Sequence, residues 1–467
     1  MIQEDLADFS VNYALKLGAK YAEVRLEQHK GTSFLLKNGI PEVSGFDDTL
    51  GMGVRFLVKD TLGFVSINNL QKELTKDLIK KAFKLTEDSY KLTEKTKLTK
   101  EDVIKTKYEV KQKIKLENIS PEEKLKFLKG IDKETKQAVG RFYSLSDDVM
   151  HKYYVNSEGA KITQIIPRTN FFYYITVNNK ADSLQRFLQH GNVGGWESVK
   201  AWNLSEKIKD EIKAMLRNLK EGKKLKPGKY DVVVAPEVTA IMTHEAVGHP
   251  TEADRILGRE GAQAGESFVT KDMLNKKLGS ELLTVADDPT IPGSNGFFLY
   301  DDEGVKARRK LLMKDGKINE FLHNRETAAE MGTKSNGSSR ANDYDKETIV
   351  RMSNTFVLPG KTKEEEMIKE IKNGVYIKNF MEWNIDDKRF HQKYVGCESY
   401  SIVNGELGKP IRNPALEITT PGLWSSVDAV GKNIAHFSGT CGKGEPMQGI
   451  PVWFGGPSLR LKNIVFK

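Results

Sequence analysis

The stretch PEVTAIMTHEAVGHP, residues 236–250, sets the tightest local condition in this chain. Proline at its start suits the first turn of a helix, where a missing N–H costs nothing. His244 and Glu245 then open like H-E-x-x-H, whose two histidines sit four apart on one helix face and bind zinc. Here the second histidine, His249, comes one residue later. Residues five apart on a regular α-helix are turned by about 500°, which leaves them roughly 140° off a common face. They meet on one side only if the helix widens locally to the i to i+5 pairing of a π-bulge. Gly248 lowers the cost of irregular backbone just before His249. Pro250, just after it, disfavours α-conformation at His249 and donates no helix hydrogen bond. A helix that deforms or ends at His249 is therefore expected.

Chance supplies on the order of 0.01 matches to H-E-x-x-x-H in a chain of this length with eight histidines, so a metal site is the sharper reading. Two histidines leave zinc short of its usual three protein ligands. Candidates for the third are the carboxylates Glu252 and Asp254, another histidine, or one of the two cysteines. Cys397 lies in the strand-like run KYVGCESYSI, where a small buried residue is the plain expectation. Cys441 lies in HFSGTCGKGEP, whose glycines suit a ligand-bearing loop and favour it over Cys397. His436, His323 and His391 carry weaker claims. Arg351 and Asn354 are candidates for holding a substrate main chain, and a strand-rich neighbourhood offers edges to which an extended peptide can add.

At 467 residues the chain has room for two or three domains, and no apolar run approaches the roughly 18 residues that span a bilayer. The acidic start MIQEDLADFS does not read as a signal or transit peptide. Two cysteines make no disulfide framework, which points to a reducing cytoplasm. The net charge of +9 comes mostly from lysines between residues 72 and 136, interspersed with acids. Without clustered arginines and aromatics, that region reads as a solvated surface and argues against a nucleic-acid partner.

The elements alternate without an internal repeat. A helix is expected over residues 3–17, then strands in AEVRLEQHK and TSFLLKNG, and a hairpin in GMGVRFLVKDTLGFVSI turning at Lys59-Asp60. Gly51-x-Gly53 lacks the third glycine of a dinucleotide loop and reads as small residues in a strand. A helix over residues 75–92 leads into the charged connector EKTKLTKEDVIKTKYEVKQK. Ser120, Pro121 and Glu123 form a capping-box helix start. Residues 141–179 are strand-rich, a helix covers 205–219, and EGKKLKPGKY reads as a linker. Beyond it come the strand YDVVVAP, the histidine helix, hairpins at Asp315-Gly316 and Asn404-Gly405, and a helix in KTKEEEMIKEIKNG. That last helix is expected to have Thr362 as cap, Glu365 as box partner and Gly374 as stop. The class is α+β, with an N-terminal α/β domain before a strand-rich C-terminal domain that carries the metal-binding helix. The expected division is 1–105, 106–224 and 225–467.

Several segments together also resemble a known family. HEAVGHPTEAD, DDEGV at 301–305, RMSNTFVLPG at 351–360 and CGKGEP at 441–446 are similar in order and spacing to the TldD/PmbA family, also described as modulators of DNA gyrase. GMGVRFLVKDTLGFVSI fits the first domain of that family, so the resemblance covers nearly the whole chain. It implies zinc held by His244, His249 and Cys441, Glu245 as general base, and cleavage of unfolded or extended peptides. Because the metal motif is intact, the chain resembles the catalytic TldD type. That type pairs with a PmbA/TldE-type subunit as a heterodimer; a homodimer is the other arrangement. Glu252 and Asp254 match family positions, and a role orienting the histidines competes with an ordinary salt bridge. The rival to a peptidase is a non-catalytic, gyrase-modulator-like regulatory protein acting through protein or nucleic-acid contacts.

Overall fold

Strands Tyr21–Lys37 and Ile40–Val58 pair along their full lengths, turning through Asn38-Gly39, both at positive φ (48° and 84°). This is the backbone a tight two-residue hairpin demands. The computed structural model describes residues 3–179, 182–259, 266–444 and 446–466. The long hairpin continues through Lys59-Asp60 (φ 50° and 63°) into Thr61–Ile67, as the sequence leads one to expect. Helices Glu4–Leu17 and Lys72–Ser89 cover one face of it, burying Leu6, Val11, Ile79 and Phe83 against Val24, Leu26 and Val54.

A 13-stranded sheet organises the molecule. The hairpin pairs through Tyr21–Lys37 with Gly140–Asn156, which leads to Lys161–Asn178 and Ser183–Val193. From there the sheet passes to Ala435–Lys443 and Gln448–Gly456, and then runs parallel into Asn354–Val357. The passage from Ser183–Val193 to Ala435–Lys443 rests on one ladder pair, Gln189 with Ser438. Helices Pro121–Glu134 and Leu204–Glu221 pack a second core on the middle strands. A seven-stranded sheet, with Gly228–Val234 inside it, flanks the third and largest core. The outcome is α+β, and among the described residues no helix is long and apolar enough to cross a membrane.

Local signals hold where side-chain chemistry enforces them. Ser120 accepts from Glu123 N–H at 3.2 Å and Glu123 accepts from Ser120 N–H at 3.1 Å, closing the capping box. Asp315-Gly316 and Asn404-Gly405 make hairpin turns with positive φ at both residues. Elsewhere the structure departs from expectation. The charged connector contains a strand, Lys105–Glu109, which pairs parallel with Lys161–Ile165, beyond the stretch of that strand paired by Ser183–Val193. The late helix is only Glu364–Lys369; it is capped at Lys363, whose N–H reaches Glu366 at 3.0 Å. Gly374 does not stop it but sits in strand Asn373–Ile377, where Asp231 O would lie 2.5 Å from a Cβ. The pair Gly51 and Gly53 is explained by close approach: Tyr344 lies across both, its ring 2.3 Å from a Cβ built at Gly51.

Buried charge ties the first hairpin to the C-terminal half. Arg55 bridges Glu23 (2.6 Å) and Glu303, and Glu303 also accepts the Arg325 N–H (2.7 Å). The 301–305 motif thus serves as a brace. The Asp301 carboxylate takes the N–H groups of Glu303, Val305 and Ser339, and Asp302 pairs with Lys152.

Candidate metal centre

Helix Pro236–Thr243 starts at its proline directly after strand Gly228–Val234 and packs against strands Gln448–Gly456, Asn354–Val357 and Ala435–Lys443. At His244 it widens into a π turn over His244–Gly248, and the His249 N–H donates to His244 O five residues back. A 3₁₀ turn over His249–Thr251 ends the run. The imidazole rings consequently meet, their centroids 4.9 Å apart at 78°. The expected deformation is present, but its causes differ from those expected. Gly248 has an ordinary right-handed conformation (φ −57°, ψ −69°), so it is not needed for freedom of the backbone. It is needed for space: a Cβ there would lie 1.9 Å from Met352 Sδ. His249 likewise keeps right-handed dihedrals (φ −57°, ψ −43°) ahead of Pro250, which sits in the first turn of the 3₁₀ segment.

Cys441 completes a triangle. Its Sγ lies 3.5 Å from His249 Nε2, and the donor atoms of His244, His249 and Cys441 all fall within 4.8 Å of one another. All three side chains are buried. Cys441 is not in a loop: it belongs to strand Ala435–Lys443 and pairs with Ile450. Cys397 packs in the second core, its carbonyl accepting from Asn218 at 2.6 Å, and burial pushes its thiol up to about 12. Burial also resists ionisation of Cys441, but the surrounding imidazoles and the Arg351 guanidinium prevail and draw its thiol well below the ordinary range. Burial in turn holds the His249 imidazole well below its usual value, keeping it neutral as a ligand must be. The donor set fits zinc: two imidazoles and a thiolate, with a buried His244 Nδ1 that has no hydrogen-bond partner.

A layer of charge stands behind the triangle. His249 Nδ1 is 2.8 Å from Glu252 Oε2, which leaves Nε2 facing Cys441. Glu252 is fully buried and is met by Arg255 at 3.0 Å and Lys443 at 3.3 Å. Burial opposes its charge, but Lys443, Arg255 and Arg351 outweigh that and hold the carboxyl below its usual value. Lys443 also grips both oxygens of Asp254 (2.7 and 2.9 Å), so the strand carrying Cys441 is tied to the turn carrying His249. Glu245 stands beside the triangle with its Oε2 3.0 Å from Arg389 Nη1. Both line a cleft of about 520 Å³ together with the triad and the aromatic side chains Phe187, Phe380, Trp383 and Phe454.

Other candidates fall away from the cleft. Arg351 donates its guanidinium to the carbonyls of Cys441 and Gln448, and Asn354 donates its side-chain amide to Asp288 O and Ser294 Oγ, so both are engaged inside the protein. His436 stacks on Trp453, and His323 faces Thr327 at 3.2 Å. His391 lies in a flanking strand, and Glu445 of CGKGEP lies outside the described residues. A second cluster, Glu27, His29 and Asp343, is already neutralised by Arg25 and Lys152 against Glu27. Arg389 is the residue that sequence reasoning missed. It stands 144 positions from Glu245, with no spacing signal to connect them.

Family models for the PmbA/TldA metallopeptidases match three stretches: domain 1 at 22–86, the central domain at 114–216 and the C-terminal domain at 227–467. A metalloprotease of Methanocaldococcus jannaschii is 33% identical, over 94% of this chain and 95% of that protein. The chain belongs to the TldD/PmbA family. Another relative, named a zinc metalloprotease TldD homolog, comes from Saccharolobus solfataricus at 25% identity and covers 97% of this chain and 98% of its own. These names indicate a TldD-type metalloprotease. The fold is shared with a proposed modulator of a DNA gyrase from Thermotoga maritima (TM-score 0.79, 17% identity, 99% of this chain and 100% of that one). It is shared equally with TldE from Thermococcus kodakarensis (TM-score 0.74, 17% identity, 99% of each).

Proposed function

We propose that this TldD/PmbA protein is a zinc-dependent peptidase that hydrolyses unfolded or extended peptides. The observation that carries the reading is the buried triangle of His244, His249 and Cys441 with Glu245 at its side. Zinc bound there supplies Lewis acidity and brings the pKa of a water towards neutrality. Glu245 acts as the general base, holding the proton of the attacking water and passing it to the leaving amine nitrogen. Glu252 fixes the His249 ring through Nδ1, and Lys443 anchors both Glu252 and Asp254, which act as supports behind the ligands. The aromatic cleft, beside the one sheet passage that rests on a single ladder pair, suits an extended chain better than a folded one. The protein works in the cytoplasm, with a PmbA/TldE-type subunit or a second copy as partner, on a chain divided at about 105 and 224.

Zinc content and cleavage of a disordered peptide test this together. One zinc per chain is expected, with Glu245→Ala keeping the metal and losing hydrolysis. Cys441→Ala loses the metal, and Cys397→Ala keeps it. Undiminished hydrolysis in Glu245→Ala, or zinc that follows Cys397, refutes the assignment and favours a non-catalytic regulatory role.

A further inference from the structure

We infer that Arg389 is a catalytic residue of this site, resting on the peptidase reading above: its guanidinium meets the negative charge that forms on the scissile carbonyl oxygen. Arg389 sits in the turn between strands Phe380–Ile385 and His391–Gly396, a hairpin that also brings Trp383, Asn384 and Ile385 to the cleft. It is buried, and its Nη1 is 3.0 Å from Glu245 Oε2.

Its backbone carries the argument. Arg389 has φ 64°, in the left-handed region where glycine is at ease and an arginine is not. The other described non-glycine residues with positive φ are asparagines, aspartates and Lys59, types suited to turns or standing at an exposed hairpin tip. A chain that keeps a buried arginine in this conformation accepts strain to aim that side chain, and such strain gathers at functional sites. The turn is also locked. The Arg389 N–H donates to Asp386 O at 3.0 Å, and the Asp386 carboxylate takes the N–H groups of Phe390 (2.7 Å) and His391 (3.1 Å). The Thr420 hydroxyl donates to Arg389 O at 2.6 Å. The guanidinium is therefore positioned before any substrate arrives.

The chemistry balances without a further reactant. The water oxygen bonds to the scissile carbonyl carbon as its proton passes to Glu245, and the carbonyl π pair moves onto oxygen. Collapse breaks the C–N bond, and the proton on Glu245 goes to the amine nitrogen. A guanidinium has five N–H donors in a planar fork, so one that orients Glu245 also reaches a carbonyl under attack next to it. A donor aimed at a forming oxyanion acts mainly on kcat.

Arg389→Gly removes the side chain while relieving the backbone, and Arg389→Lys keeps a charge without the fork. Both are compared with wild type as zinc-loaded protein on a disordered peptide, with zinc content and thermal unfolding recorded. In Arg389→Gly, kcat falls about 10²- to 10³-fold, KM moves less than about threefold, and zinc content and folding are retained. Millimolar guanidinium chloride restores part of the rate and urea does not. Arg389→Lys falls between the two. Affinity for a tetrahedral phosphinic peptide, read by calorimetry, drops by the factor lost from kcat/KM. Unchanged kcat, a loss confined to KM, a loss of zinc, or no rescue by guanidinium in a folded variant overturns the role. A zinc-loaded wild type that cleaves nothing overturns the peptidase reading, and this role with it.

Discussion

Gly248→Ala is the sharpest test of why the histidine helix takes its shape. The added Cβ would lie 1.9 Å from Met352 Sδ, 3.2 Å from Cε and 3.3 Å from Cγ, against the roughly 3.5–4.0 Å of relaxed contact. Something must move by more than an ångström. Met352 is fully buried, and its carbonyl is held by Arg340 at 2.8 Å, so its backbone resists. Overpacking of this kind costs about 1–3 kcal/mol. If the π turn yields instead of Met352, His249 swings away from Cys441 and the cost appears in metal binding. A cost of 1.4–2.8 kcal/mol is then a loss of about 10- to 100-fold in zinc affinity. Competition with a chromophoric chelator measures that affinity, and thermal unfolding with and without zinc measures the rest. Met352→Ala supplies the second corner of a double-mutant cycle, in which the alanine at 248 becomes nearly neutral. Equal zinc affinity and stability in Gly248→Ala, or an undiminished penalty when Met352 is shortened, would show that space is not what glycine provides here.

Two further outcomes follow from buried charge. Glu252→Gln leaves Lys443 and Arg255 without their shared carboxylate and His249 Nδ1 with a neutral, weaker acceptor, so zinc affinity falls about 10- to 100-fold in the chelator assay. Loss of one partner from such a buried pair also destabilises by about 3–5 kcal/mol, and full stability with native zinc affinity would contradict the role given to Glu252. Glu237, in the first turn of the histidine helix, is pushed up to about 7, chiefly by burial and then by Glu211, despite its Arg186 partner. A folded-state value above the ordinary 4.5 means that the fold favours the protonated carboxyl, so the stability it contributes is complete below pH 4.5 and is lost as pH rises towards 7. That gap corresponds to about 3 kcal/mol, so Glu237→Gln gains on wild type across pH 4.5–7 in denaturant titrations. A difference that stays flat with pH would rule this out.

Much of the centre was legible because its rules are local. Histidines five apart can share one face only if the helix widens between them, and the π turn is there at His244–Gly248. Ser120 with Glu123 and Asn404-Gly405 likewise carry their own chemistry. What could not be read depends on distant partners. The need for glycine at 248 is written in Met352, and the pairing of Glu245 with Arg389 in a hairpin far along the chain. Arg351 and Asn354 looked available for substrate because sequence does not show which carbonyls and hydroxyls come to meet them. The parallel joining of Asn354–Val357 to Gln448–Gly456 is equally beyond any local pattern.

The order of the proposed ligands along the chain has a consequence for biosynthesis. His244 and His249 come from one turn, but Cys441 follows His249 by 192 positions and reaches it only through a sheet closed late in the sequence. At about 5–20 residues per second, a ribosome needs roughly 10 to 40 s to deliver the thiol after the second imidazole. Through that interval the nascent chain has the two proposed imidazole ligands without the proposed thiol. On the proposed ligand set, the metal site is incomplete while the chain is itself an extended peptide, the kind of substrate its finished cleft is proposed to accept.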